Sequence, residues 1–504
     1  MILNISLSRI LALVIFLYSG ASVSAQLIFS PNAEPIDLAD ESYGNKAIRM
    51  VVNTAGEPVV SFGASGNLFV SKWSNEDGAF GTPIAIDPSE DIYMSDAEGP
   101  RMAAQGDFLV ITYQISGNWT AGARSVQSWD GGASWSEPTG MVSNVSEDHF
   151  MPCVAIDDEG NPFAGVKVGN NTDNIFEGIL RSADSGQTWL PAVNASDVAD
   201  GESVCECCPS QPFWANNRYY DLVRNNNENV RDFWLLSSSN GEIWDAAIDV
   251  DPLDWQLNSC PESGATVTGP VQASEWITAF MSAGGPSGQS RVYVSALDLN
   301  ANNGQGEWIS TQAVTNSQFE SATQNNPVLS QWEGADGHKI LALAWEQNSG
   351  GYDIQLTISN GTNWSFTDLA QNITGEWSGQ HRRPVVAFST NSDGTPLLHL
   401  AWQKSSSGTV RYLTGTIEST SNIVQAVNPD PLVIENAFGT ILDTKGNWDG
   451  SLWGLWTAEG RLLDSGRVMS GEVLHFPNHT RPAHAILSLE STAGIRWAKH
   501  LFHE

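Results

Sequence analysis

Short apolar runs bounded by clusters of Gly, Asn, Asp and Ser recur along most of the chain. A run of about five apolar residues between turn formers predicts a strand rather than a helix. One such strand opens with Arg or Pro and recurs seven times: Ile48–Val52, Pro100–Ala104, Met151–Ile156, Cys208–Trp214, Gly269–Ala273, Asn326–Ser330 and Arg383–Phe388. A turn and a second apolar strand follow each copy, as in Pro58–Gly63, Phe108–Gln114, Ile340–Gln347 and Pro396–Gln403. A third strand comes next, for example Arg231–Ser238 or Tyr352–Ser359. The copies lie roughly fifty to sixty residues apart, the length of a propeller blade. The pattern predicts an all-β fold, a six- or seven-bladed β-propeller over residues 26–421, with seven preferred on the count of first strands. The last repeat has only three strands, and Gln26–Leu38 supplies two short apolar runs suited to its outer edge. Closing the ring this way removes an exposed sheet edge.

A second marker sits between the third and fourth strands. Ser128-Trp-Asp130-Gly-Gly132-Ala-Ser134-Trp135 and Ser182-Ala-Asp184-Ser-Gly186-Gln-Thr188-Trp189 share the pattern S-x-D-x-G-x-x-W. Ser237–Trp244 and Thr357–Trp364 are degenerate copies with Ser239 and Ser359 at the Asp position, and residues 71–81 and 298–308 hold weaker remnants. The Asp or Ser oxygen suits turn N–H groups, Gly a backbone angle other residues avoid, and Trp packing between strands.

These residues resemble the Asp-box (BNR-repeat) propellers of the sialidase superfamily, over roughly residues 45–420. The resemblance implies that the boxes are structural and lie on the rim. It also implies a glycan-directed activity, a glycosidase in the sialidases themselves. Those enzymes bind a substrate carboxylate with three Arg residues and use a Tyr nucleophile with a Glu, and an Asp as acid/base. Arg49 occupies the place of the first Arg, although Ile-Arg-Met replaces the usual Arg-Ile-Pro. Arg224 resembles the second, with Arg231 as a neighbouring rival, and Arg383 is a candidate third on a blade that six-bladed enzymes lack. Arg101 is a further channel-facing candidate. Tyr219, Tyr220 and Asp221 lie near Arg224 without an assignable role, so the catalytic residues stay open.

Both chain ends carry other signals. Arg9, the apolar run Ile10–Tyr18 and Val23-Ser24-Ala25 before Gln26 read as a secretory signal peptide over residues 1–25. After Asn422 the repeat stops, and residues 422–504 read as a linker and a small β-sandwich. Gly460, Leu462, Gly466, Gly494 and Lys499 make this segment resemble the C-terminal sorting domain of type IX secretion cargo, although the usual Gly-Tyr is replaced around His484. That resemblance implies the type IX secretion machinery as a partner and a secreted or outer-surface location. No segment reads as transmembrane.

Composition narrows the function. A formal net charge of −34 excludes nucleic acid and anionic membranes as partners. An anionic ligand would therefore need a local basic site. Five Cys is an odd number for an exported chain. Cys153 falls in the inner strand of the third blade, Cys205, Cys207 and Cys208 lead into the fourth, and Cys260 leads into the fifth. The topology predicts that all five approach the propeller axis. Two disulfides with one spare thiol, or a soft-metal site for copper or zinc with His149 and Met151 as added ligands, both fit. Cys207-Cys208-Pro209-Ser210-Gln211 misses the sulfatase motif C-x-P-S-R by its Arg. Three functions remain: binding or hydrolysis of an extracellular glycan or glycoprotein, a metal-binding or redox propeller built on the five Cys, and a non-catalytic surface scaffold.

Overall fold

The computed structural model describes residues 27–419, except 65, 144–145, 171–174, 200–202, 273, 315–321, 362–363, 365 and 367–369, together with seven strands between 432 and 502. The signal-peptide segment lies outside the described residues. The chain divides into two compact units, Met1–Ser419 and Thr420–Glu504.

The first unit is a seven-bladed β-propeller. Its inner strands are Lys46–Val52, Arg101–Gln105, His149–Ile156, Gln211–Ala215, Thr266–Gln272, Thr323–Glu333 and His381–Thr390. Each opens an antiparallel sheet whose strands follow in chain order. In blade 7 the outermost strand comes from the other end of the unit. Leu27–Pro31 pairs with Thr409–Ser419, and Ile36–Asp37 adds a second short pairing to the same strand. The side-chain amide of Gln371 holds this closing strand, accepting from Phe29 N at 2.7 Å and donating to Phe29 O at 3.0 Å.

Second strands are buried on both faces because each is covered by the sheets of two neighbouring blades, so they read as unbroken apolar runs rather than alternating ones. Pro58–Ala64 and Lys339–Asn348 are of this kind. The core is accordingly a ring of inter-blade clusters. Val59, Leu68 and Val70 of blade 1 meet Leu109, Ile111 and Val126 of blade 2. Ala342 and Leu356 of blade 6 meet Leu398, Leu400 and Trp402 of blade 7 and Phe29 of the closing strand. Each such Leu or Phe contributes about 1.5–3 kcal/mol relative to exposure.

The repeated turns have one hydrogen-bond plan. Ser128 Oγ accepts from Gly132 N at 2.9 Å, and Asp130 Oδ1 accepts from Ser134 N at 2.9 Å. Ser182 and Asp184 do the same for Gly186 N and Thr188 N, each at 2.8 Å. Burial works against the ionised form of Asp130, but the Ser134 side chain and backbone and the Ser128 hydroxyl outweigh it and hold the carboxyl down to about 2. In the third copy the roles shift by one residue from the expected alignment. Ser238 Oγ accepts from Gly241 N, and Asn240 Oδ1, not Ser239, accepts from Ile243 N, each at 2.9 Å. This turn is one residue shorter, which an ungapped pattern cannot register.

The second unit has a three-stranded and a four-stranded antiparallel sheet. Leu455 and Leu487 face each other across two central strands, and both are buried.

Candidate functional site

All seven inner strands, or the connections leading into them, line one cavity of about 280 Å³ on the propeller axis. Local backbone geometry shapes it. The inner strands of blades 1, 3, 6 and 7 each carry a register shift near their start. At the shift sits a non-glycine residue with positive φ: Ala47 at 51°, Met151 at 58°, Asn326 at 51° and Arg383 at 52°. Such residues are uncommon and cost about 1–2 kcal/mol each. A bulge re-aims the residues beside it. Here it presents Arg49, Cys153, Pro327 and Pro384 to the cavity.

Three guanidiniums reach this space: Arg49, Arg101 and Arg383. Arg49 donates to Ile48 O at 2.6 Å and Asp96 O at 3.4 Å. Arg101 donates to the carbonyls of Ala97, Gly99 and Pro100. Arg383 donates from Nη1 to Asn326 Oδ1 at 2.8 Å. Among the described residues none of the three forms a salt bridge. Glu346 is occupied otherwise, by the Arg382 guanidinium at 3.1 Å and the Arg383 backbone N–H at 3.0 Å. Arg383 Nε and Asn326 Nδ2 are buried donors without a hydrogen-bond partner. Burial pushes Arg101 below its ordinary value, and the like charge of Arg383 adds to this. The cavity thus gathers positive charge and spare donors in a strongly acidic chain. Its lining carboxylates are Asp96, which accepts from Ala47 N at 3.0 Å, and Glu262.

The other two Arg candidates lie elsewhere. Arg224 is fully buried on the second strand of blade 4, donating to Arg231 O at 2.6 Å and Met281 O at 2.7 Å, with Phe233 4.1 Å from its guanidinium carbon. Arg231 is buried too, and donates to Leu257 O at 3.2 Å and Cys205 Sγ at 3.2 Å. The phenols near them are not activated. Tyr220 is buried against Leu299 O and Gly304 O and pushed up to about 12. Tyr219 is raised by burial and by Asp157. Tyr93, beside the cavity loop, donates to Glu98 Oε2 at 2.8 Å and is pushed up to about 12 by burial and by that carboxylate.

Behind the cavity wall lies a buried polar cluster that the sequence did not single out. Lys167 Nζ bonds Glu177 Oε2, and both side chains are buried. Glu177 Oε1, Ser210 Oγ and Asp221 Oδ2 converge on Gly165, where a Cβ would lie 2.5, 2.5 and 2.9 Å from them. The Glu177 and Ser210 side chains lie within hydrogen-bonding reach of the Asp221 carboxyl. Burial and the Glu177 charge hold Asp221 well above the carboxylate range. One lysine against two carboxylates leaves one charge over, which a proton on Asp221 removes. Ser210 belongs both to this cluster and to the cavity lining, which Cys153 shares. Its members are distant in sequence and come from different strands, so only the register reveals them.

Four of the five Cys come together. Cys207 and Cys260 form a disulfide. Cys205 Sγ lies 2.7 Å from Cys208 Sγ and 3.6 Å from Cys207 Sγ. Cys153 is apart, on the cavity wall, with its sulfur 3.5 Å from Met151 O. His149 Nδ1 lies 3.0 Å from Glu147 O. His149 belongs to neither of the described groups of His, Cys, Asp and Glu donors close enough to share a metal, which are Cys205, Cys207 and Cys208, and Glu206, Cys207 and Cys260. Burial opposes a thiolate at Cys205, but the Cys208 hydrogen bond and the charges of Arg224 and Arg231 outweigh it and bring Cys205 down to about 6. Burial and Cys205 drive Cys208 the other way.

No family model and no curated protein matches the chain. Among solved structures its fold is similar to a PL25 ulvan lyase, at 12% identity and TM-score 0.48 over 77% of this chain and 99% of that one. It is similar to the Hadza microbial sialidase Hz136, at 12% identity and TM-score 0.44 over 76% and 68%. It is also similar to the NanB sialidase of Streptococcus pneumoniae, at 10% identity and TM-score 0.42 over 78% and 92%. Among the described residues no helix is long and apolar enough to cross a membrane.

Proposed function

We propose that the axial cavity binds a carboxylate- or sulfate-bearing sugar of an extracellular glycan, with Arg49, Arg101 and Arg383 as the anion clamp. One observation carries the reading: three guanidiniums without a carboxylate partner line one cavity of a chain whose net charge is −34. Guanidinium forks match planar carboxylates and sulfate oxygens, and an anion relieves the repulsion among like charges in the pocket. Asp96 and Glu262 are the candidates for proton transfer if the bound glycan is also cleaved. A sialidase-type tyrosine nucleophile has little support, since Tyr93, Tyr219 and Tyr220 are all raised rather than lowered. Asp-box turns as rim supports, a signal peptide over residues 1–25 and a type IX sorting domain over 422–504 complete the proposal: an exported glycan-binding propeller. The test is a binding screen of neutral, uronate-, sialate- and sulfate-bearing oligosaccharides. Binding confined to the anionic members supports the reading, and equal binding of neutral ones contradicts it.

A second reading rests on the sulfur group. Cys205, Cys207 and Cys208 offer soft ligands suited to copper or zinc. Two features favour thiol chemistry over a metal there. Cys207 is engaged with Cys260, and the Arg231 guanidinium lies 3.2 Å from Cys205 Sγ, where it repels a cation. Elemental analysis with a thiol count on chelator-free protein separates the two.

A further inference from the structure

We infer that Cys205, Cys207, Cys208 and Cys260 form an internal disulfide-exchange relay that fastens or releases part of the cavity wall. The inference does not depend on the anion-binding reading. Its basis is geometric. Cys205 Sγ stands 3.6 Å from Cys207, a sulfur of the Cys207–Cys260 disulfide, and 2.7 Å from Cys208. Exchange proceeds by thiolate attack on a disulfide sulfur, and Arg231 Nη1, 3.2 Å from Cys205 Sγ, stabilises that thiolate. Cys205 and Cys208 are buried, whereas Cys260 is exposed. The exchange is intramolecular, so burial of the attacking sulfur does not block it.

The steps balance without an external oxidant. The Cys205 thiolate attacks Cys207, the Cys205–Cys207 bond forms, and the Cys207–Cys260 bond breaks. Its electron pair leaves on Cys260, which takes a proton from water. Cys208 then loses its proton to water and attacks Cys205, giving a Cys205–Cys208 disulfide and a Cys207 thiolate, which is protonated in turn. The product has the same atoms, the same number of thiols and the same number of disulfides as the starting state.

The consequence lies at the cavity. The Cys207–Cys260 bond ties together two wall segments: Pro209 to Pro212, after Cys208, and Glu262 to Thr266, after Cys260. They pack directly, for a Cβ on Gly264 would lie 2.8 Å from Pro209 Cγ. Exchange removes the covalent tie and leaves only this packing.

The test equilibrates the full chain anaerobically near neutral pH. Thiols are then trapped with a methanethiosulfonate reagent, and labelled cysteines are mapped by mass spectrometry. The relay predicts a Cys260 label in a fraction of wild-type molecules. It predicts loss of that label in Cys205→Ser and its retention in Cys153→Ser. The wild-type measurement needs no variant to fold. Cys260 unlabelled in wild type overturns the relay. So does a label unaffected by Cys205→Ser, or a chain in which Cys153 is the sole free thiol because both disulfides are already closed.

Discussion

Arg383 donates a hydrogen bond from Nη1 to Asn326 Oδ1 across 2.8 Å, joining the bulge of blade 7 to the bulge of blade 6. Both residues hold φ near +50°, a conformation that Asn tolerates better than Arg. The strained arginine is thus oriented by its neighbour. Asn326→Ala keeps every cavity charge but frees this guanidinium. A hydrogen bond to a charged group is worth about 1.5–3 kcal/mol, so affinity for an anionic oligosaccharide is expected to fall roughly ten- to a hundredfold. Calorimetric titration of the variant against wild type checks this; an unchanged affinity removes Asn326 from the site.

Much of this was legible in the sequence, and the part that was not has a physical reason. Seven copies of one strand, with an orphan three-stranded repeat, indicate the ring and its closure by Leu27–Pro31. Arg49, Arg101 and Arg383 stand out because each opens an inner strand. Arg224 looks equivalent in its local context, but it ends a second strand, where both faces are covered by neighbouring blades. Two backbone carbonyls and Phe233 take up its guanidinium. The convergence of Glu177, Ser210 and Asp221 over Gly165 depends on strand register, which no motif encodes. The cysteines divide for a related reason: Cys153 lies in an inner strand, whereas the other four lie on connections.

Lys167 is expected to be the most sensitive member of the buried cluster. Lys167→Met removes the cation that pairs with Glu177 and should cost about 3–5 kcal/mol in urea denaturation. A loss under about 1 kcal/mol would mean that the pair is not buried as described.

Asp221 should give stability a pH dependence of definite sign. Its folded-state value is raised, so between the unfolded value, near about 3.9, and the folded one the native chain holds the extra proton. Stability from this group is complete below about pH 4 and falls as pH rises through the folded value. Asp221→Asn removes that slope, so the variant gains on wild type from pH 5 to pH 8. Parallel denaturation curves at the two pH values would contradict it.

The repeated turns act in the opposite direction. Asp130 is held down to about 2, so its contribution is present above about pH 4 and is lost as pH falls toward the lower value. Asp130→Ala and Asp184→Ala should each lower stability by about 1–2 kcal/mol near neutrality, without loss of glycan binding, because the turns lie away from the cavity. Thermal melts and the binding assay, run together, test both halves.

Ring closure predicts a larger effect. Deleting residues 26–38 strips blade 7 of Leu27–Pro31 and exposes the edge of Thr409–Ser419. An unpaired apolar edge invites intermolecular pairing, so the deletion should melt less cooperatively and aggregate. A monodisperse, cooperatively melting deletion variant would show that the Velcro-like strand is dispensable.

The central claim is the anion clamp, and the most direct measurement is calorimetric titration of the full chain with a uronate- or sulfate-bearing oligosaccharide at low and high salt. Wild type is expected to bind at one site and to weaken with salt, and Arg49→Ala, Arg101→Ala and Arg383→Ala are each expected to reduce affinity at least about tenfold with the fold intact. Binding that survives all three substitutions, or that is equally strong for the neutral counterpart of the oligosaccharide, would contradict it.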